Sequence, residues 1–157
     1  MPNVTPFLWF DTEGREAAEF YTSIFPNSRI TEVTHYGSAG PRPEGTVMTV
    51  AFELDGRQFV ALNGGPDFKF NEAVSFLVSC KGQDEVDHFW NRLSEGGEEG
   101  PCGWLKDRYG LSWQVVPTVL DELLTGPDRD KAQRVMAAMM KMGKIEIEGL
   151  ERAAEAA

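Results

Sequence analysis

The side chains in this sequence that are best suited to chemistry are few and scattered. The chain has two histidines, His35 and His88, and two cysteines, Cys80 and Cys102. A nucleophilic thiol needs a base beside it, and neither cysteine has a histidine near it in sequence. Each therefore reads as a buried, inert thiol. His88 falls beside the apolar stripe of a helix and reads as a surface residue. His35, near the end of a strand, either faces a cavity or is solvated. Lys106 and Asp107 end a strand and read as a solvated turn pair. Trp9, Trp104 and Trp113 are either core aromatics or walls for a planar ligand.

The elements that must position these residues come in two copies. Phe7 to Ile24 reads FLWFDTEGREAAEFYTSI, and Phe76 to Leu93 reads FLVSCKGQDEVDHFWNRL. Ala17, Phe20, Tyr21 and Ile24 recur 69 residues later as Val86, Phe89, Trp90 and Leu93. Each set has the i, i+3, i+4, i+7 spacing of one helix face. A short aromatic-rich run precedes each helix, too brief for a helix and suited to a strand. In the first copy Asp11 or Thr12 can cap the helix and Pro26-Asn27 stops it. Strands follow at Arg29 to Tyr36, Thr46 to Leu54 and Arg57 to Asn63, the last two joined by an Asp55-Gly56 hairpin signal. The module is thus β-α-β-β-β. In the second copy, strands are expected at Ala73 to Cys80, Cys102 to Asp107 and Leu111 to Val116. There Gly56, Phe59 and Leu62 match Gly110, Trp113 and Val116 at an offset of 54, so the second module is about 15 residues shorter (69 − 54). One strand, near Glu98 to Pro101, must be very short or missing. Between the modules, Gly64 to Asn71 is a loop whose Phe68 and Phe70 either seal the core edge or form part of a ligand lid. After Pro117 come a short helix, then a longer one with the stripe Ala132, Val135, Met136, Met139, Met140 and Gly143. That stripe is core, a subunit interface or a ligand wall. Ile145 to Ala157 suits one more helix that frays.

Composition narrows the function classes. A chain of 157 residues suits one domain or two small modules, and buries roughly 70% of its unfolded surface. The net charge of −10 and pI near 4.6 disfavour nucleic acid and anionic membranes as partners. Two cysteines give no disulfide framework. The start, MPNVTPFLWF, has no signal-peptide pattern, and no apolar run approaches the ~20 residues of a membrane span. The expectation is a soluble, cytoplasmic protein.

A duplicated β-α-β-β-β unit with this helix signature resembles the vicinal oxygen chelate superfamily, which includes glyoxalase I, fosfomycin and bleomycin resistance proteins and extradiol dioxygenases. TPFLWFD, EAAEFY, FPNSRI, ALNGGPDFKFNEAVSF, CGWLKDRYGLSWQVVP and KAQRVMAAMMKM closely resemble its PhnB-like branch, often labelled 3-demethylubiquinone-9 3-methyltransferase. The resemblance implies an α+β fold: a glyoxalase-like domain over residues 1–120, with modules at about 1–63 and 72–117, and a helical extension over 118–157. It also implies strands curled into open cups and a homodimer, in some members with elements exchanged between subunits.

The superfamily's usual site is a divalent metal held by His, Gln or Glu on the inner face of the cup, acting as a Lewis acid. By motif, the three ligand positions fall on Pro6, near Ala73, and on Gln114. Proline and alanine side chains cannot ligate, and one glutamine is no site, so no metal and no cofactor is expected. Methyl transfer from S-adenosylmethionine would need a Gly-rich turn that opens a helix. Gly37-Ser38-Ala39-Gly40 and Gly64-Gly65 both run into prolines instead. Strand alternation turns Ser112, Gln114 and Val116 into the cup and Trp113 beneath the helix. The same counting turns Leu8 and Phe10 inward and Phe7 and Trp9 outward. The expected ligand contacts are Leu8, Phe10, Asn63, Phe70, Ser75, Ser112 and Gln114. An apolar cup with these few polar points suits a small, partly aromatic molecule. Three functions fit: a metal-free binding protein; an enzyme, either a metal-dependent lyase, isomerase or dioxygenase or a methyltransferase; or a structural dimer.

Overall fold

Tyr21 and Trp90, the paired aromatics of the two repeated helices, each lie beneath a helix and against a four-stranded sheet. The computed structural model describes residues 2–156. It divides into two units, one running to Phe70 and the other from Asn71 onward.

The first unit consists of β1 (Phe7–Phe10), α1 (Gly14–Ile24), β2 (Arg29–His35), β3 (Val47–Leu54) and β4 (Arg57–Asn63), in sheet order β1-β4-β3-β2. β1 runs parallel to β4 and the other pairs are antiparallel. Asp55 (φ 48°) and Gly56 (φ 82°) both have positive φ, the backbone of a tight two-residue hairpin turn. α1 buries Ala17, Ala18, Tyr21 and Ile24. The two alanines let the helix approach closely, and Tyr21 stacks on Phe52, which stacks on Phe59. The helix begins at Gly14, and neither Asp11 nor Thr12 caps it. The cap comes from across the sheet, where Asn63 Oδ1 accepts the Gly14 N–H at 2.8 Å.

The second unit repeats this plan with β5 (Ser75–Cys80), α2 (Gln83–Ser94), β6 (Glu98–Glu99), β7 (Trp104–Lys106) and β8 (Ser112–Pro117), in order β5-β8-β7-β6. The shortened strand is β6, of two residues. α2 buries Val86, Phe89, Trp90 and Leu93, the whole stripe read from the sequence. Asp107 is not a solvated turn residue. It is 2% exposed and accepts N–H groups from Tyr109, Leu111 and the Trp113 indole, so it ties the turn before β8 to the core under α2.

Three helices close the chain: α3 (Thr118–Thr125), α4 (Arg129–Met139) and α5 (Ile147–Glu155). Leu120, Val135, Ile145 and Leu150 form a small core among them. Gln83 at the start of α2 fastens them down, donating to the Ile145 carbonyl (3.0 Å) and accepting from the Ile147 N–H (2.8 Å). α5 does not fray. Leu150 is fully buried, and Arg134 caps its last turn through the Ala153 and Ala154 carbonyls. The methionine stripe is divided: Ala132 and Val135 are core, whereas Met136 and Met140 are exposed.

The two repeats are out of step by one residue where strand meets helix. Register pairs Leu8 with Ala61 and Phe10 with Asn63, and pairs Val78 with Val115 and Cys80 with Pro117. The strands therefore correspond at an offset of 70, while the helices correspond at 69. A one-residue slip exchanges the faces of a strand. Leu8 and Phe10 accordingly point to α1 and the core, and Phe7 and Trp9 lie on the open face. This reverses the orientation expected from the sequence.

Candidate ligand site

The open face of the second sheet is built from alternating positions of three strands. Across β5, β8 and β7 the rows are Ser75, Ser112 and Lys106, then Leu77, Gln114 and Trp104, then Ser79 and Val116. Trp113 and Val115 face the other way, into the core under α2. Polarity therefore falls along the face from the Lys106 row to the Val116 row. A cavity of about 630 Å³ lies on this face. Leu77, Trp104 and Val116 form its apolar floor, and Leu120, Met139 and Met140 from α3 and the end of α4 complete the wall. At the polar end stand Glu72, Glu98, Lys106, Ser112 and Gln114.

The polar groups are arranged by one another. Gln114 Nε2 donates to Ser75 Oγ at 2.9 Å, which orients the amide across the sheet. The Lys106 ammonium is held by the Glu72 carboxylate. That hydrogen bond, assisted by the charges of Glu72 and Glu98, lifts the lysine above its ordinary pKa. Ser112 lines the cavity, and its buried Oγ has no hydrogen-bond partner. Cys102 also lines the cavity, with Sγ 3.7 Å from Met140 Sδ.

Of the residues expected to contact a ligand, Ser112 and Gln114 line this cavity and Ser75 braces Gln114. Leu8, Phe10, Asn63 and Phe70 are elsewhere. Leu8 and Phe10 are core residues beneath α1 for the register reason given above. Asn63 is 8% exposed and is engaged on both ends of its amide, accepting from Gly14 and donating to the Val47 carbonyl at 3.3 Å. Phe70 packs edge-on against Phe10 (5.4 Å), and Phe68 packs edge-on against Trp9 (4.8 Å). The loop thus seals the edge of the first sheet. His35 and His88 are both exposed, and neither lines the cavity. Trp104 is a cavity wall and Trp113 is core. Reasoning from sequence missed Leu77 and Lys106, and left a ligand wall as one of three readings for Met139 and Met140. The first two follow from Gln114 once the register of β5, β7 and β8 is known, and the two methionines follow only from the tertiary path of α4.

The residues present do not fit the superfamily's metal. The open-face positions of β1 are Phe7 and Trp9, and those of β5 are Ser75, Leu77 and Ser79. None carries an imidazole or carboxylate. Among the described residues, no group of three or more His, Cys, Asp or Glu is placed to hold a metal ion. Neither Gly-rich stretch opens a helix: the first leads into β3 and the second into β5. The sheets are small and mixed, not doubly wound. No helix among the described residues is long and apolar enough to cross a membrane.

Two βαβββ units with helices on one face of each sheet define the α+β glyoxalase/bleomycin-resistance fold of the vicinal oxygen chelate superfamily. Within that class, the chain belongs to the 3-demethylubiquinone-9 3-methyltransferase family, whose model matches residues 2–116. The match ends just before α3, so the three C-terminal helices lie outside it. A PhnB protein from Bacillus cereus is 33% identical, with a TM-score of 0.66 over 74% of this chain and 100% of that one. Protein PA1353 from Pseudomonas aeruginosa shares the fold at 20% identity, with a TM-score of 0.62 over 74% of this chain and 98% of its own. So does the fosfomycin resistance protein FosX from Listeria monocytogenes, at 14% identity and a TM-score of 0.53 over 78% and 97%. No protein of curated function matches the sequence.

Proposed function

We propose that this protein binds a small, partly aromatic organic molecule in the cavity of its second unit, without a metal. The observation that carries this reading is the cavity itself: about 630 Å³, with an apolar floor, an indole wall and a few polar groups at one end. Sites for small ligands have this size and composition. The side chains present argue against the superfamily's Lewis-acid chemistry here, because among the described residues no three His, Cys, Asp or Glu converge to hold a metal. A homodimer is part of the proposal. Phe7, Phe68, Leu77 and Met140, each more than half exposed, are apolar side chains that a partner subunit would cover. We place the protein in the cytoplasm, where free thiols such as Cys80 and Cys102 stay reduced.

Calorimetric titration with 2-naphthol, a neutral probe of suitable size, tests the binding site. Leu77→Trp fills the cavity from an exposed position of β5 that the core does not need. Wild-type protein is expected to bind the probe and the variant to lose at least about tenfold in affinity, roughly the worth of a well-packed aromatic contact. Equal binding by both, or by neither, overturns the proposal.

A second reading takes the family's description as this chain's activity, and the family match favours it. It requires binding of S-adenosylmethionine, which the same calorimeter measures. No heat of binding is expected, since among the described residues no glycine-rich turn presents a helix N-terminus to that molecule.

A further inference from the structure

Hydrogen-bond donors and acceptors at the polar end of the cavity are unevenly matched. Among the described residues that line the cavity, Lys106 is the only cation, and Glu72 holds it. Gln114 directs its N–H to Ser75, which leaves its carbonyl oxygen as an acceptor. Ser112 presents a hydroxyl that is fully buried and has no partner. A buried polar atom of this kind is one that a water molecule or a ligand head group can satisfy. Glu98, exposed at the same end, adds a second carboxylate near Lys106. Glu99 is engaged by the Trp90 indole at 2.9 Å. Ser112 Oγ can both donate and accept, the Gln114 carbonyl and the Glu98 carboxylate only accept, and negative charge exceeds positive at this end. An anionic head group would have to displace Glu72 from Lys106 and then lie beside Glu98. A head that donates hydrogen bonds and carries positive charge meets Ser112 Oγ, the Gln114 carbonyl and Glu98 without disturbing that ion pair. Next to these groups stands the Trp104 indole, whose face attracts cations and stacks on planar rings.

We propose that the cavity is selective for small apolar amines in their ammonium form, with the ring body on Trp104, Val116 and the Met139–Met140 wall and the ammonium at Ser112, Gln114 and Glu98. This rests on the reading that the cavity binds a ligand. The charge of −10 on the whole chain favours the approach of such cations.

Calorimetric titration of the full chain with 1-naphthylmethylamine, 1-naphthalenemethanol and 1-naphthoate keeps the ring constant and changes only the head. The amine is expected to bind about fivefold more tightly than the alcohol, the range of a partly exposed ion pair, and the carboxylate to bind most weakly. Glu98→Gln, at an exposed position, is expected to remove most of the amine's advantage over the alcohol. High salt is expected to do the same. Equal affinity for amine and alcohol, a preference for the carboxylate, or an undiminished preference in Glu98→Gln overturns the selectivity while leaving the cavity as a binding site. No binding of any of the three overturns the cavity reading on which it rests.

Discussion

At the scale of residues, several side chains that look like ligand contacts are structural. Asn63 closes the N-terminus of α1 from the opposite end of the unit, and Gly14 is small because it must be. A Cβ on Gly14 would stand 2.6 Å from Asn63 Oδ1 and 3.3 Å from the Ala61 Cβ. Asn63→Ala should destabilise the fold by about 1–2 kcal/mol, the worth of a helix cap, with no change in ligand affinity. Urea denaturation together with a probe titration checks both halves of that statement. The cysteines separate in the same way. Burial, with the charge of Glu85 behind it, pushes the Cys80 thiol up to about 12, so it stays protonated and unreactive. Cys102, half-buried at the cavity, should be the single thiol that reacts with a disulfide reagent in the native protein, and bound probe should slow it. Reaction of both thiols before unfolding would contradict this burial. In linkage terms, a Cys80 pKa raised in the folded state makes stability fall as pH rises above about 9, where the unfolded chain begins to ionise that thiol.

At the scale of elements, the repeated helices were legible because their stripes hold an invariant spacing, and all four apolar positions of each were found where the period put them, with only Phe20 left partly exposed. The strands were legible as elements, and β8 also by face, but the faces of β1 were not. One additional residue lies between β1 and α1 relative to the second copy, and helix periodicity carries no record of it. Counting back from the helix therefore put Leu8 and Phe10 in the cup instead of the core. The Asp55-Gly56 turn, by contrast, is local chemistry and was read directly. The path of the C-terminal helices was not legible, since Gln83 meets Ile145 and Ile147 across more than sixty residues. Lys144 adds an ion pair to Asp87 of α2 at 2.8 Å. Its hydrogen bond to Asp87 raises the lysine's pKa, and the same bond, with one from Gln83, lowers the aspartate's. The lowered carboxylate stabilises the attachment above about pH 4 and loses that effect as the pH falls through its folded pKa. The raised lysine stabilises below about 10.5 and loses its effect above that. Hydrogen-exchange protection of α5, taken relative to the intrinsic exchange rate at each pH, should therefore be greatest between those limits, and Gln83→Ala should lower protection at Leu150 more than at Trp113. Uniform acceleration across the second unit would show that the helices are not a separately attached element.

At the scale of the whole molecule, the account is of a twice-used βαβββ unit whose second copy has a ligand cavity walled by helices beyond the family match. Because Met139 and Met140 form that wall, Met140→Asp should weaken probe binding severalfold with little loss of stability, the residue being 61% exposed. Thermal denaturation beside a titration distinguishes the two effects, and a large fall in melting temperature would return Met140 to the core. The most direct test of the central claim is native mass spectrometry of freshly purified protein, set against the same sample denatured. The account predicts a dimer whose subunits have the bare polypeptide mass, or that mass plus an organic molecule released on denaturation. A divalent metal bound at one per site would contradict it, since the chain would then hold ligands that neither its open-face positions nor its side-chain clusters provide.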